Sequence, residues 1–132
     1  FQDLRCTGAG QTTEIEPNGL PLFEVVTQKA KEWNKCGNVG LVVGATYPEE
    51  LKRVRQLCPD MLLLIPGIGF QGGELTRAVR CGVDTRGGNA IFSSSRQIIY
   101  ASKGKDFDLA ARRTAEELCQ QINSLLVDDA SR

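Results

Sequence analysis

No histidine occurs among the 132 residues, and methionine and tryptophan occur once each. Without an imidazole the chain lacks the commonest general base and the commonest zinc ligand, so Ser-His, Cys-His and His-metal mechanisms are excluded within it. Chemistry carried here would have to use Lys, Asp, Glu or backbone groups. An excess of charge is missing too: 16 Lys and Arg stand against 16 Asp and Glu, for a formal net charge of zero. That balance, with no basic block, removes the electrostatic footprint of a nucleic-acid binder or a polybasic membrane anchor. Small molecules or proteins are the expected partners. The longest strongly apolar run, Met61 to Ile65, is far shorter than the roughly 20 residues that span a bilayer. Phe1-Gln2-Asp3 has neither the positive start nor the apolar core of a signal peptide, and Phe1 in place of an initiating methionine predicts further sequence upstream.

What is present describes one globular domain. A composition of 41% hydrophobic and 24% charged residues is ordinary, and a chain of this size buries roughly two thirds of its unfolded surface. Five cysteines (Cys6, Cys36, Cys58, Cys81 and Cys119) are odd in number, widely spread and without a C-x-x-C pair. They read as reduced thiols in a cytoplasmic protein, most of them packed as small buried hydrophobes.

The chain divides into a loop or lid over residues 1–20, a patterned region over 21–126, and a frayed tail over 127–132. Leu22, Val26 and Trp33, with Phe23, Val25 and Ala30 beside them, recur at helical spacing and predict a helix near 21–35, with Trp33 in the core. Val39 to Ala45 is a continuous β-branched run, suited to a parallel strand covered on both faces. Thr46-Tyr47-Pro48-Glu49 then reads as an N-cap with a proline in the first turn and a capping-box glutamate. Leu51, Val54, Leu57 and Cys58 supply the buried stripe of that helix, and Pro59-Asp60 ends it. The unit repeats with a strand over Met61 to Ile65, a glycine-rich loop, and a helix from Glu74 to Cys81 capped by Gly82. Asp84 to Asn89 forms a turn into a third strand from Ala90. Phe107, Ala111, Thr114, Leu118, Ile122 and Leu125 mark an amphipathic terminal helix.

Alternating strands and helices mean βαβ units and a parallel sheet. Three strands alone do not close, whereas a whole βα barrel takes about 250 residues, so the chain is close to half of one. A small flavodoxin-like sheet is the alternative architecture, although it normally needs five strands.

Two segments could carry chemistry. Pro66-Gly-Ile-Gly-Phe-Gln-Gly-Gly73 places four glycines between a strand end and a helix start, where backbone N–H groups can turn toward an anion. It matches neither the G-x-x-x-x-G-K-[ST] nor the G-x-G-x-x-G pattern, which argues against nucleoside triphosphates and dinucleotides. Ser93-Ser-Ser-Arg96 lies at the end of the next strand, and the last two loops of a βα barrel often form a phosphate site. Arg96 would offer a planar fork of donors there. A plain tight turn and a surface salt bridge are the competing accounts. The carboxylates do not gather at a strand end, and no lysine sits at one. The chain therefore shows a phosphate grip without a visible acid, base or nucleophile, and without a metal site.

Three segments taken together and in order, Asn38-Val-Gly-Leu-Val-Val-Gly-Ala-Thr-Tyr-Pro-Glu-Glu-Leu51, Ile65-Pro-Gly-Ile-Gly-Phe-Gln-Gly-Gly73 and Ala90-Ile-Phe-Ser-Ser-Ser-Arg-Gln-Ile-Ile-Tyr-Ala101, resemble the orotidine 5′-phosphate decarboxylases with longer loops. The resemblance implies strands six to eight of a (β/α)8 TIM barrel, with Phe1-Gln-Asp-Leu4 in the loop after the fifth strand. It implies conversion of orotidine 5′-monophosphate to uridine 5′-monophosphate in pyrimidine biosynthesis, with no metal or organic cofactor. Gln71 resembles the glutamine that bridges substrate phosphate and pyrimidine. Arg96 resembles the arginine that clamps the phosphate, with the Ser95 and Arg96 amides beside it. Ile68 and Pro66 would flank the base, and Gly69 and Gly72 belong to the same substrate-binding loop. Binding energy from a remote phosphate can organise the reacting centre without any of these groups touching the carboxylate.

The family's D-x-K-x-x-D motif and proton-donating lysine, placed on the second and third strands, are not in this chain. By itself the chain is therefore expected to be inactive. The resemblance further implies a cytoplasmic homodimer and an amino-terminal half of the barrel as partners. Two other readings stand beside it: a non-catalytic phosphate-binding half-barrel that serves as a binding or assembly module, and another barrel enzyme acting on a sugar phosphate.

Overall fold

In the computed structural model, the described residues are 20–68 and 72–130. The expected lid therefore lies outside them, apart from Leu20. The elements run α1 (Leu22–Trp33) with a short 3-10 turn (Asn34–Cys36), β1 (Leu41–Val42), α2 (Pro48–Leu57), β2 (Leu63–Pro66), α3 (Gly72–Gly82), β3 (Ala90–Ser93), α4 (Arg96–Ile99) and α5 (Phe107–Ala130). The three strands pair in parallel in the order β1-β2-β3. A flavodoxin-like sheet would reverse direction after its first pair, whereas a sequential order is an arc of a barrel wall.

The β1 ladder is shorter than the β-branched run that produces it, but backbone bonding continues beyond. The N–H groups of Leu41, Val43 and Ala45 donate to Leu62, Leu64 and Pro66 carbonyls at 3.0, 2.9 and 3.0 Å. Leu41, Val43, Leu63 and Ile65 point into one core with Ala30 of α1 and Leu51 and Val54 of α2. A second core joins Ile68, Leu75, Ala78 and Val79 to Leu118 of α5, with Phe92 of β3 packed against it. All of this packing lies on one side of the sheet. The opposite side carries Val42, Leu64 and Ile91, which are partners across the register and are 51%, 37% and 51% exposed. The expectation of strands buried on both faces is thus corrected for these residues: helices cover one face, and an apolar row lines the other.

Other expectations also change. Trp33, the last residue of α1, is 69% exposed rather than core. Phe107 opens α5 at 62% exposed, and the helix runs to Ala130. The cap of α2 falls at Tyr47 instead of Thr46 and makes no side-chain capping bond, so the capping box does not form. Gly82 is the last residue of α3 and not a left-handed cap; a Cβ there would strike the Ile65 side chain, so its role is close helix-to-sheet packing. Of the described cysteines only Cys58 is buried, Cys81 is half-buried, and Cys36 and Cys119 are exposed. Burial pushes the Cys58 and Cys81 thiols up, which suits packed, unreactive sulfur.

Arg55 is the residue the sequence reading missed. It lies four residues after Leu51 and directly after Val54, on the apolar stripe of α2, and it is buried. Its Nε and Nη2 donate to the Gly82 carbonyl at 2.9 and 2.7 Å, and Nη2 also donates to Asn89 at 2.7 Å. Nη1 donates to Cys58, Pro59 and Met61 carbonyls at 3.2, 3.1 and 2.7 Å. Desolvation lowers the guanidinium pKa from its usual value, opposed by nearby Asp84, but arginine remains a cation at any ordinary pH.

Beside it, the buried Asp84 holds the turn into β3. Its Oδ1 accepts from the Gly88 and Arg86 N–H groups at 2.7 and 2.9 Å, and its Oδ2 accepts from Asn89 Nδ2 at 2.8 Å. That network fixes Asn89 in the left-handed region at φ 54° and Gly87 at φ 74°. The Gly88 bond, more than any other group, holds the Asp84 carboxyl below the ordinary aspartate range, against the opposing effect of burial.

Two outcomes follow from this rim. Arg55→Met leaves five carbonyls without their shared donor and is expected to cost about 3 kcal/mol or more in urea unfolding, as loss of partners for buried polar groups does. A loss under about 1 kcal/mol would show that water replaces the guanidinium. For Asp84, a folded pKa below the unfolded value of about 3.9 stabilises the fold above that value, and the contribution fades as pH falls through the folded one. Asp84→Asn is therefore expected to be less stable than the parent by about 1 to 3 kcal/mol at neutral pH, with the gap closing below about pH 4. A gap that stays constant from neutral pH to acid contradicts the assignment.

Candidate phosphate site

Register brings the two candidate segments together. Pro66, the last residue of β2, is the partner of Ser93, the last residue of β3, and the Ala45 N–H reaches the Pro66 carbonyl from the other side. Three strand ends therefore stand in a row at the carboxyl rim of the sheet, and the turns that leave them are neighbours. Gly67 begins its turn at φ 86°, a conformation that L side chains rarely adopt, and a Cβ there would meet nothing within 4 Å. Its requirement is one of backbone conformation and not of space.

A cavity of about 480 Å³ lies between Pro66 to Ile68 on one side and Ser93 to Gln97 on the other. Pro66 is half-buried at its mouth, while Ser95 and Arg96 are exposed. Ile68 lines this cavity while being only 4% exposed, since it also packs among Leu75, Ala78 and Val79. That anchoring holds the turn to α3. Ser95 precedes the single turn of α4, and this short helix after the last strand occupies the place where many βα barrels hold phosphate. Gly72 is the first residue of α3, whose amino end belongs to the same rim. Gln71 and Gly69 lie outside the described residues, so their expected roles are not located.

A second cavity of about 560 Å³ sits across the Gly67–Ile68 turn, lined by Ala45, Thr46, Pro48, Glu74 and Arg77. It contains no cluster of carboxylates. Among the described residues no group of three or more Cys, Asp or Glu side chains is placed to hold a metal ion, and no helix is long and apolar enough to cross a membrane. Among the described residues, the 480 Å³ cavity is lined by one arginine together with hydroxyls and backbone donors. That donor set suits an anion.

Sequence reasoning passed over Gln97, which lines the same cavity. Ser94 Oγ donates to Gln97 Oε1 at 3.1 Å. The S-x-x-Q spacing that brings them together is that of a capping box, although here the hydroxyl meets the side-chain oxygen rather than the backbone.

No family model matches the chain. Known proteins do. The orotidine 5′-phosphate decarboxylase of Ralstonia nicotianae is 47% identical over 117 residues, which is 88% of this chain and 43% of that protein. That of Roseiflexus sp. is 46% identical over 111 residues, 83% of this chain and 41% of its own length. The structure of Leishmania donovani OMP decarboxylase superposes with a TM-score of 0.68 at 35% identity, covering 96% of this chain and 44% of that one. The Leishmania donovani UMP synthase gives the same TM-score at 37% identity over 95% of this chain and 25% of its own. The chain spans less than half the length of the curated relatives it matches. The likeness read from the three segments holds over nearly the whole chain, and the fold is a run of consecutive βα units of a (β/α)8 barrel, matching the carboxyl-terminal part of those proteins.

Proposed function

We propose that the chain is the carboxyl-terminal part of an orotidine 5′-phosphate decarboxylase, and that its rim holds the phosphate and flanks the base of orotidine 5′-monophosphate while a complete barrel releases carbon dioxide. The observation that carries this reading is the pairing of Pro66 with Ser93, which sets the glycine turn and the Ser-Arg loop on one cavity. The donor chemistry supports it: Arg96 supplies a cationic fork, and the Ser95 and Arg96 amides supply N–H groups for the remaining oxygens. Gln71, between Ile68 and Gly72 in the sequence, is assigned to bridge phosphate and pyrimidine, with Gly69 and Gly72 assigned to the same substrate-binding segment.

These groups act on the substrate's remote end. Their contribution is to position the base and to convert phosphate binding into lowered activation energy, so they raise the rate without transferring a proton. The lysine and aspartate residues that do the chemistry are assigned to the amino-terminal strands of the barrel, and the isolated chain is therefore inactive. The same reading makes the complete enzyme a cytoplasmic homodimer that needs no metal or organic cofactor.

One observation favours a second reading for the chain in isolation. The apolar row Val42, Leu64 and Ile91 forms an open sheet face, which supports a phosphate-binding assembly module that gains a function only when further strands cover it. The first reading assigns that cover to the rest of the barrel.

Arg96→Ala in the complete enzyme is expected to weaken binding of uridine 5′-monophosphate by about 2 to 4 kcal/mol in a calorimetric titration, as loss of a charged hydrogen-bond partner does. An unchanged nucleotide affinity would overturn the assignment.

A further inference from the structure

We propose that Gln97, held by Ser94, is a second phosphate-positioning side chain beside Arg96; this rests on the phosphate reading of the rim. The starting point is chemical inventory. A glutamine carboxamide has one oxygen that accepts and one NH₂ group with two donors. The Ser94 hydroxyl engages Gln97 Oε1 at 3.1 Å, so what the carboxamide offers the cavity is its pair of N–H donors. Both residues are half-buried, in contrast to the exposed Ser95 and Arg96 between them, and both line the 480 Å³ cavity.

Burial matters here because a half-buried pair loses less in ordering than a solvated one. The hydroxyl removes much of the rotational freedom of a side chain with three χ angles before any ligand arrives, which is preorganisation. A dianionic phosphate has more oxygen lone pairs than one guanidinium fork and two amides can satisfy. A neutral donor one residue from Arg96 adds a contact without adding a further charge. The pair also spans the junction of β3 and α4, joining the strand exit to the second residue of the helix. Phosphate contact at Gln97 would therefore be transmitted to the same turn that presents Arg96. In this scheme Ser94 does not touch the phosphate; it orients the residue that does.

The test compares kcat/KM for orotidine 5′-monophosphate with kcat/KM for orotidine, which brings no phosphate to the cavity, in the complete enzyme and its variants. Gln97→Ala is expected to lower the value for the nucleotide about tenfold, the worth of one hydrogen bond to a charged group, with the nucleoside value moving less than twofold. Gln97→Glu keeps an acceptor for Ser94 but sets a carboxylate against the dianion, and a larger loss on the nucleotide alone is expected. Ser94→Ala should fall between the parent and Gln97→Ala.

Nucleotide kinetics within twofold of the parent for Gln97→Ala would overturn the proposal, and so would equal losses on both substrates, the signature of a structural role. Arg96→Ala run in parallel separates the two levels of inference. If it lowers the nucleotide value and Gln97→Ala does not, only the Gln97 assignment fails. If neither variant changes it, the phosphate reading itself fails.

Discussion

One buried guanidinium determines how the strands of this chain stand relative to one another. The five carbonyls that Arg55 gathers come from the loop after α2, the end of α3 and the residue before β3. All of them lie at the amino-terminal rim of the sheet. Burying a cation whose five N–H groups make six contacts is stabilising only if its geometry is nearly complete, because each missing partner leaves a costly polar group in the core. Here the two ends that must be fixed for β2 and β3 to pair, Met61 and Asn89, share the same side chain. Asp84 extends the arrangement by holding the turn that delivers Asn89. Starts of strands fixed in this way fix their register, and register in turn puts Pro66 beside Ser93 at the other end.

The molecule therefore divides its tasks between two rims. The amino-terminal rim spends its polar groups on internal bonding, with Arg55 and Asp84 turned inward. The carboxyl-terminal rim leaves Arg96 and Ser95 exposed around a cavity, with Ile68 anchoring the turn after β2 and Ser94 bonded to Gln97. This is the distribution found in βα barrels, where one end serves stability and the other chemistry. Side-to-side packing follows the same logic: α1 is tied to α2 by the Arg53 fork on the buried Glu24 at 2.9 Å and by Lys31 Nζ on the Leu57 carbonyl at 3.0 Å. The helical layer is thus bound to itself as well as to the sheet.

Much of this is legible in the sequence. The order of βα units, the helix over the twenties and thirties, and the two strand ends that line the 480 Å³ cavity followed from apolar periodicity and from the glycine-rich and Ser-Arg segments. The continuous strand runs differ from expectation for a physical reason. Hydrophobic pattern reports that a residue is to be covered, but not whether the cover is in the same chain; Val42, Leu64 and Ile91 are apolar on a face that these residues leave open. Thr46 was misplaced by one residue because Pro48 at the first helical position makes Tyr47 the cap. Arg55 was hidden by its charge, although its spacing from Leu51 and Val54 put it on the buried stripe. Gln97 was overlooked because the adjacent arginine accounted for the motif.

If these βα units form the phosphate-holding part of an orotidine 5′-monophosphate decarboxylase barrel, they should work inside a relative's barrel. The most direct measurement replaces the matching 117-residue segment of the Ralstonia nicotianae enzyme with that of this chain and follows conversion of orotidine 5′-monophosphate. The account predicts a folded chimera that releases carbon dioxide and uridine 5′-monophosphate. A chimera with the circular dichroism and unfolding cooperativity of its parent but no turnover would contradict it.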